Sequence, residues 1–410
     1  MNTIYNTMVY IVWFFATYYM VFIILSLFTY RKELFHNNKI LKREPFVTFI
    51  IPAFNEEADV LDTIKSLKKL EYKKIEFLIM NDGSSDKTPE IIREGIKGDS
   101  RFTFIDNKHN QGKAGIMNEG IKLAKGEFIA CMDADSVVES NIVSKILPYF
   151  NTDKIGSVTV SVEVNKPKTL LQKIIAIEFS LGLSLLLKLF SFLDCIFVTP
   201  GPFSMYKASV LKEIGGFDIN NITEDHEIAY RLHKAGYKIS NCLEAKVFTT
   251  LPDTFKGNYI QRKRWYSGSI LTMFQHRDVI LNKKYGLFGV FIPFNMMLVI
   301  MGISLFAASS FMFLSKWIKE LMYFRYTNFN FFENWRIDFS LLYYGRVNLL
   351  GFSMLAITIF FTLFGLAMVG KKYRDNKLGL IGFPLFFFFY QIFWFGAFWA
   401  VIKGGKIKWR

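Results

Sequence analysis

A chain of 410 residues could hold one or two soluble domains, but 51% of these residues are apolar and 45 are Phe, which excludes an ordinary soluble protein. The formal charge of +15 comes without a helix-turn-helix, zinc-finger or RNA-binding signature, so nucleic acid is excluded as a partner and an anionic lipid surface accounts for the charge. Cys131, Cys195 and Cys242 lack paired metal spacing and read as reduced core residues.

Apolar residues gather at the two ends, around a mixed stretch from about Lys42 to Asn282. The chain therefore divides into residues 1–45, an N-terminal membrane helix with a basic linker; 46–283, a cytoplasmic domain; and 284–410, a C-terminal membrane domain. Met8 to Thr29 is uncharged over the roughly 20 residues that a hydrocarbon layer of about 30 Å requires. Arg31, Lys32, Lys39, Lys42 and Arg43 follow that run, which argues against a cleaved signal peptide and places the middle domain inside. Further spans are expected at about Gly286 to Leu314, Val347 to Gly370 and Leu378 to Ile402. Lys371, Lys372, Arg374 and Lys377 then fall inside, whereas Lys403, Lys406, Lys408 and Arg410 fall outside, which leaves the last segment a re-entrant alternative. Residues 315–346, aromatic with scattered charges, suit the outer interface. Helices at about 170–193 and 254–277 read as interfacial, the first because Glu178 and Lys188 interrupt its apolar run.

Within the middle domain, short apolar runs alternate with helical patterns: Phe46 to Ala53, then Glu56 to Leu70; Ile75 to Met80, then Asp86 to Lys97; Phe102 to Ile105, then Lys113 to Lys125; and Phe128 to Met132. This alternation predicts an α/β fold with a mostly parallel sheet, whose ligands bind beyond the carboxyl ends of the strands. The residues at those ends are polar: Asn55, Glu56 and Glu57 after the first strand, Asn81 to Asp86 after the second, Asp133 and Asp135 after the fourth. Asn55, Ser85 and Asp86 could be mere helix caps. Asp133 and Asp135 are harder to explain that way, because carboxylates one residue apart repel unless a cation lies between them. Oxygen ligands suit Mg2+ or Mn2+, which also take substrate phosphates.

Seven segments, PAFNEE (52–57), NDGSSD (81–86), GKAGIMNEG (112–120), DAD (133–135), GGFD (215–218), TED (223–225) and QRKRW (261–265), stand in this order along the chain. In this they resemble the family-2 glycosyltransferases, and in particular the membrane branch of cellulose, chitin, hyaluronan and poly-N-acetylglucosamine synthases. The resemblance runs from about Phe46 to Gln275. It implies a nucleotide-sugar-binding, Rossmann-like glycosyltransferase A-type domain with flanking transmembrane helices, in a multi-pass protein of the cell membrane. It also implies that Asp82 and Lys113 hold the nucleotide, that Asp133 contacts the donor and Asp135 the metal, and that Asp225 is the general base of an inverting transfer. Gln261 and Arg264 are expected on the donor, and Glu224 and Trp265 on the acceptor. His226 is set aside, because its side chain points about 100° away from that of Asp225 on a helix. Gln261, Arg264 and Trp265 recur at spacings of three and four on one helix, where a stacking ring and a phosphate-binding guanidinium are apt. A surface helix with membrane-anchoring Arg and Trp is the plainer reading of the same pattern.

Two segments depart from the synthase pattern. Thr199-Pro200-Gly201-Pro202-Phe203 replaces a glycine-rich acceptor turn, and residues 157–167 lack a basic character. They leave acceptor and product open. The leading expectation is a processive polymerase using a UDP-sugar and coupled to export, with an accessory membrane subunit or a homo-oligomer completing a channel. The alternatives are a single transfer to a diacylglycerol or polyprenyl phosphate and, from another class, a non-catalytic scaffold or transporter, which would not need the carboxylates present here.

Overall fold

The computed structural model describes residues 2–34, 43–326, 346–371 and 373–404. Most of the linker, including Lys39 and Lys42, lies outside the described residues, as do Lys372, the aromatic segment from 327 to 345, and Lys406, Lys408 and Arg410.

The central sheet contains β1 (Val47–Ala53), β2 (Ile75–Asp82), β3 (Phe102–Asn107), β4 (Phe128–Cys131), β5 (Ser136–Val138), β6 (Ile155–Val164), β7 (Ser204–Lys207) and β8 (Lys238–Thr249), in the order β3-β2-β1-β4-β7-β6-β8-β5. β1, β2, β3 and β4 are mutually parallel, as the strand–helix alternation predicts. The sheet is mostly parallel, as expected, with two reversed strands that make it mixed: β7 runs antiparallel to both β4 and β6, β8 is parallel to β6, and β5 is antiparallel to β8. The strands after Asp135 are separated by long helical excursions, so no short-range alternation announces them.

β1 is buried almost throughout, as befits a strand covered on both faces. Its Pro52 looks misplaced in a central strand, yet the ladder to β4 covers only Val47 to Ile50. That ladder ends at Ile50, so the missing amide of Pro52 costs no pairing with β4.

Leu170–Phe192 is long and apolar enough to cross a membrane, but 67% of its apolar window is buried inside the protein. Thr169 and Gln172 form a capping box at its start. The helix lies on the sheet, with Ser184 Oγ donating to Val162 O at 3.4 Å and Lys188 Nζ to Asn241 O at 2.9 Å. Thr3–Tyr30, Lys283–Tyr323 and Leu349–Met368 also meet the length and hydropathy of a span, and Lys377–Pro384 with Phe389–Ile402 form a pair bent by 59°. Trp13 Nε1 donates to Ser353 Oγ at 2.9 Å, and Phe28 stacks on Phe364 at 4.7 Å, joining the first of these helices to the third. The bent pair instead packs on helix Phe255–Gln275, where Tyr266 stacks on Trp394 at 4.1 Å.

Candidate functional site

The loops after β1 and β2 hold each other. Asn55 adopts φ 55°, its Oδ1 accepts the Ser85 amide at 2.8 Å, and its own amide donates to Ser84 Oγ at 2.9 Å. The Glu56 amide donates to Thr88 Oγ1 and the Glu57 amide to Asp86 Oδ2. The cap-like residues of PAFNEE and NDGSSD are thus spent on fixing two strand ends against each other.

Asp82, the last residue of β2, is buried, and its carboxylate accepts the amides of Gln111 at 2.7 Å and Gly112 at 3.0 Å. Burial raises its pKa against the pull of those two amides. Helix Lys113–Leu123 begins immediately after, so the carboxylate sets the position of Lys113.

Lys113 Nζ lies 2.5 Å from Asp133 Oδ1 and 3.0 Å from Glu224 Oε1. Burial works against its charge, but Asp133, Glu224 and Asp225 together hold the ammonium well above its usual range. Gly201 covers this pair: a Cβ there would stand 2.7 Å from Lys113 Nζ and 2.9 Å from Asp133 Oδ2. The turn between two prolines therefore fits the site through its one residue without a side chain. Sequence reasoning noted that turn only as a departure.

Asp135 stands close to other negative charge. Burial first, then the charges of Asp133 and Glu56, push its pKa up to about 7, against a hydrogen bond from Ser136 Oγ at 3.0 Å. Excess negative charge on hard oxygens fits a divalent cation. Among the described residues no group of three or more His, Cys, Asp or Glu could hold a metal unaided.

Glu224 and Asp225 open helix Glu224–Lys234. Burial raises the pKa of both, while Lys113 and Arg264 pull it down. Thr199 donates through both its amide and its hydroxyl to the Asp225 carbonyl, each at 3.0 Å, which ties the proline turn to this helix. His226 faces the Phe197 ring at 5.7 Å, and burial lowers its pKa to about 4. Asn118 clasps the backbone of Phe217, accepting from its amide at 2.7 Å and donating to its carbonyl at 2.8 Å, so GKAGIMNEG and GGFD meet as scaffold.

Helix Phe255–Gln275 packs against the residue leading into this pair: a Cβ on Gly268 would fall 2.1 Å from Thr223 Oγ1. Arg264 reaches the Ile222 carbonyl at 3.4 Å and acts electrostatically on Asp225. Trp265 goes to another neighbour, its ring centroid 6.4 Å from that of Phe179 on Leu170–Phe192. Gln261 Oε1 is buried without a hydrogen-bond partner, as are both amide atoms of Asn258. Arg262, one of the two residues of QRKRW that sequence reasoning passed over, is buried against Glu178. The interrupting Glu178 was the available signal, since a carboxylate in an apolar run needs a partner. All three cysteines are buried and free, with thiol pKa values pushed up to about 12.

Residues 48–215 match the model of Glycosyl transferase family 2. That match ends before Glu224, Asp225 and QRKRW. Over 223 residues the chain is 36% identical to a poly-beta-1,6-N-acetyl-D-glucosamine synthase of Staphylococcus epidermidis, covering 54% of each protein. It is 33% identical to the synthase of the same name from Staphylococcus aureus strain COL, again with 54% of each covered. The chain thus spans about half the length of the curated relatives it matches. A mannosyltransferase of Pyrobaculum calidifontis, solved with GDP-Man and Mn2+, superposes with a TM-score of 0.58 over 96% of this chain and 100% of that one. At 14% identity it shares the fold. The α/β domain is therefore of the glycosyltransferase A type, and the chain resembles the poly-N-acetylglucosamine synthase branch of family 2.

Proposed function

We propose that this chain, through its family-2 domain, is an inverting glycosyltransferase that adds sugars from a nucleotide-sugar donor to a growing glycan at the cytoplasmic face of a membrane. The observation that carries the reading is Lys113 bridging Asp133 and Glu224, because it joins the donor-side strand end to the start of the helix bearing Asp225. UDP-N-acetylglucosamine is the first donor to test, given the activity named for the relatives, and that activity weighs toward a polymer product. The basic residues that follow the first apolar helix support the inside orientation.

Asp82 keeps acceptor capacity beyond the Gln111 and Gly112 amides, for a hydroxyl or N–H of the nucleoside. Asp133 and Asp135, together with donor phosphates, would hold Mg2+ or Mn2+. Once bound, such a cation neutralises charge on the departing nucleoside diphosphate. Lys113 adds a fixed positive charge beside it. Asp225, made more basic by burial, takes the proton from the attacking acceptor hydroxyl, with Glu224 holding the acceptor nearby. Arg264 and the unpartnered Gln261 Oε1 meet the donor, and Trp265 offers a ring face to the acceptor sugar. The apolar helices, with a second copy or another membrane subunit, carry the product outward.

The test is full-length protein in nanodiscs with a panel of nucleotide sugars, measuring nucleoside diphosphate release and sizing the product. Long glycan from UDP-N-acetylglucosamine is expected. No release with any donor would sink the reading, and a product one sugar longer than a lipid would replace polymerisation with single transfer.

A further inference from the structure

Glu178 and Arg262 are 84 residues apart in sequence, on the two helices expected at the interface, and they form a bidentate pair with Arg262 Nη1–Glu178 Oε1 at 2.6 Å and Nη2–Oε2 at 2.8 Å. Their side chains are only 4% and 19% exposed, so both charges are largely withdrawn from water. A buried ion pair is a weak stabiliser compared with apolar residues of the same volume, and its retention calls for a role in fixing geometry. The geometry here is specific. The guanidinium carbon lies 4.7 Å from the Trp265 ring centroid and 5.7 Å from that of Phe179. One face of the indole is therefore already taken by a cation that Glu178 prevents from turning. Next to Trp265 on the same helix, Tyr266 stacks on Trp394, and Ser267 Oγ donates to Ala397 O at 3.4 Å, which fixes the helix against the bent apolar pair.

We propose that Arg262 and Glu178 are positioning residues that hold the Trp265 indole in one orientation and leave a single face for the acceptor sugar. This rests on the acceptor role of Trp265 given above. Lysine at 262 would keep the charge but not the planar fork, so it could neither grip both carboxylate oxygens nor lie flat on the ring.

The experiment uses the full chain in nanodiscs with UDP-N-acetylglucosamine, with and without an added N-acetylglucosamine oligosaccharide, and measures transfer and donor hydrolysis separately. Arg262→Lys and Glu178→Gln are each expected to lower the transfer-to-hydrolysis ratio about tenfold or more and to raise the acceptor KM, because misplacement of an acceptor is costly whereas water needs no platform. Since either change can strand a buried charge, the pair Arg262→Leu/Glu178→Leu removes both partners together. It should recover thermal stability without recovering the ratio. Recovery of the ratio along with stability would show the pair to be purely structural and overturn the inference. Trp265→Ala serves as the reference. If it collapses the ratio while Arg262→Lys and Glu178→Gln leave it unchanged, the clamp is wrong and the platform stands; if Trp265→Ala leaves the ratio unchanged, both fall.

Discussion

The two sides of the crevice, proposed above to take the donor and the acceptor and named accordingly, are built differently. On the donor side, the chemical groups sit on loops that leave neighbouring parallel strands at the same end, and short hydrogen bonds between those loops hold them: Asn55 to Ser84 and Ser85, Asp82 to Gln111 and Gly112. On the acceptor side, helices from distant parts of the chain supply the groups, held by Thr199 on the Asp225 carbonyl, Gly268 against Thr223, and Arg262 on Glu178. A parallel sheet delivers its strand ends to one place by register alone, whereas packed helices deliver theirs only if every intervening contact has the right thickness. Donor-side substitutions should therefore act on donor binding and departure, and acceptor-side ones on the distance between Asp225 and its substrate. Lys113, in contact with both Asp133 and Glu224, is the joint between the two.

The largest effect is expected at the centre of the donor side. Asp135→Ala should lower nucleoside diphosphate release on the order of a thousandfold, as should excess chelator on the unaltered protein, with Mg2+ or Mn2+ restoring only the latter. Full turnover in chelator would remove the cation from the donor side altogether. Next comes Asp225→Asn, which keeps the shape and loses the base; transfer should fall about 10²- to 10⁴-fold while donor affinity by calorimetry is nearly unchanged. Affinity lost in step with rate would erase the division between the two sides.

A smaller effect belongs to Gly268→Ala, whose added carbon would meet Thr223 well inside contact distance. Transfer should drop about ten- to a hundredfold as the start of helix Glu224–Lys234 is displaced, with most of the loss restored by adding Thr223→Gly. A silent Gly268→Ala would mean that the helix beneath does not set the position of Asp225.

The smallest effect is on stability. Burial lowers the pKa of His226 and of His233 to about 4, and both lie on the acceptor-side helix. Between about pH 6.5 and 4 the unfolded chain binds more protons at these sites than the folded one, so stability present above that window is lost as pH falls through it. Each should account for on the order of 1–2 kcal/mol at pH 5, so His226→Gln and His233→Gln should narrow the gap in thermal midpoint between pH 7.5 and pH 5. An unchanged gap would show that acid sensitivity arises elsewhere.

The same division separates what could be read in the sequence from what could not. Every expected donor-side strand is present, with β2 and β3 running two residues further than their apolar runs, because Asp82 and Asn107 still pair after the hydrophobic pattern stops. The helix expected from Glu56 starts instead at Val60, since Asn55 in the left-handed region spends the first residues on a turn. On the acceptor side, Arg264 and Trp265 were placed together by helical spacing, yet they serve different neighbours. Spacing says which residues share a helix face and says nothing about what lies opposite.

By itself the sequence determined the α/β class, the parallel half of the sheet and the placing of Asp82, Asp133 and Asp135 at or just after strand ends, because periodicity and strand-end composition are local properties that a parallel sheet converts directly into position. The chain also announced its apolar helices, because a hydrocarbon layer requires length and hydropathy that need no partner to recognise. Tertiary structure alone decided that the sheet is mixed, that Leu170–Phe192 lies on it with most of its apolar stretch buried, and that Glu178 meets Arg262. It also decided that Gly201 covers the Lys113–Asp133 pair. Each of these depends on a contact between residues far apart in the chain, where the energy resides in close packing and paired buried charge and leaves no periodic trace in the sequence.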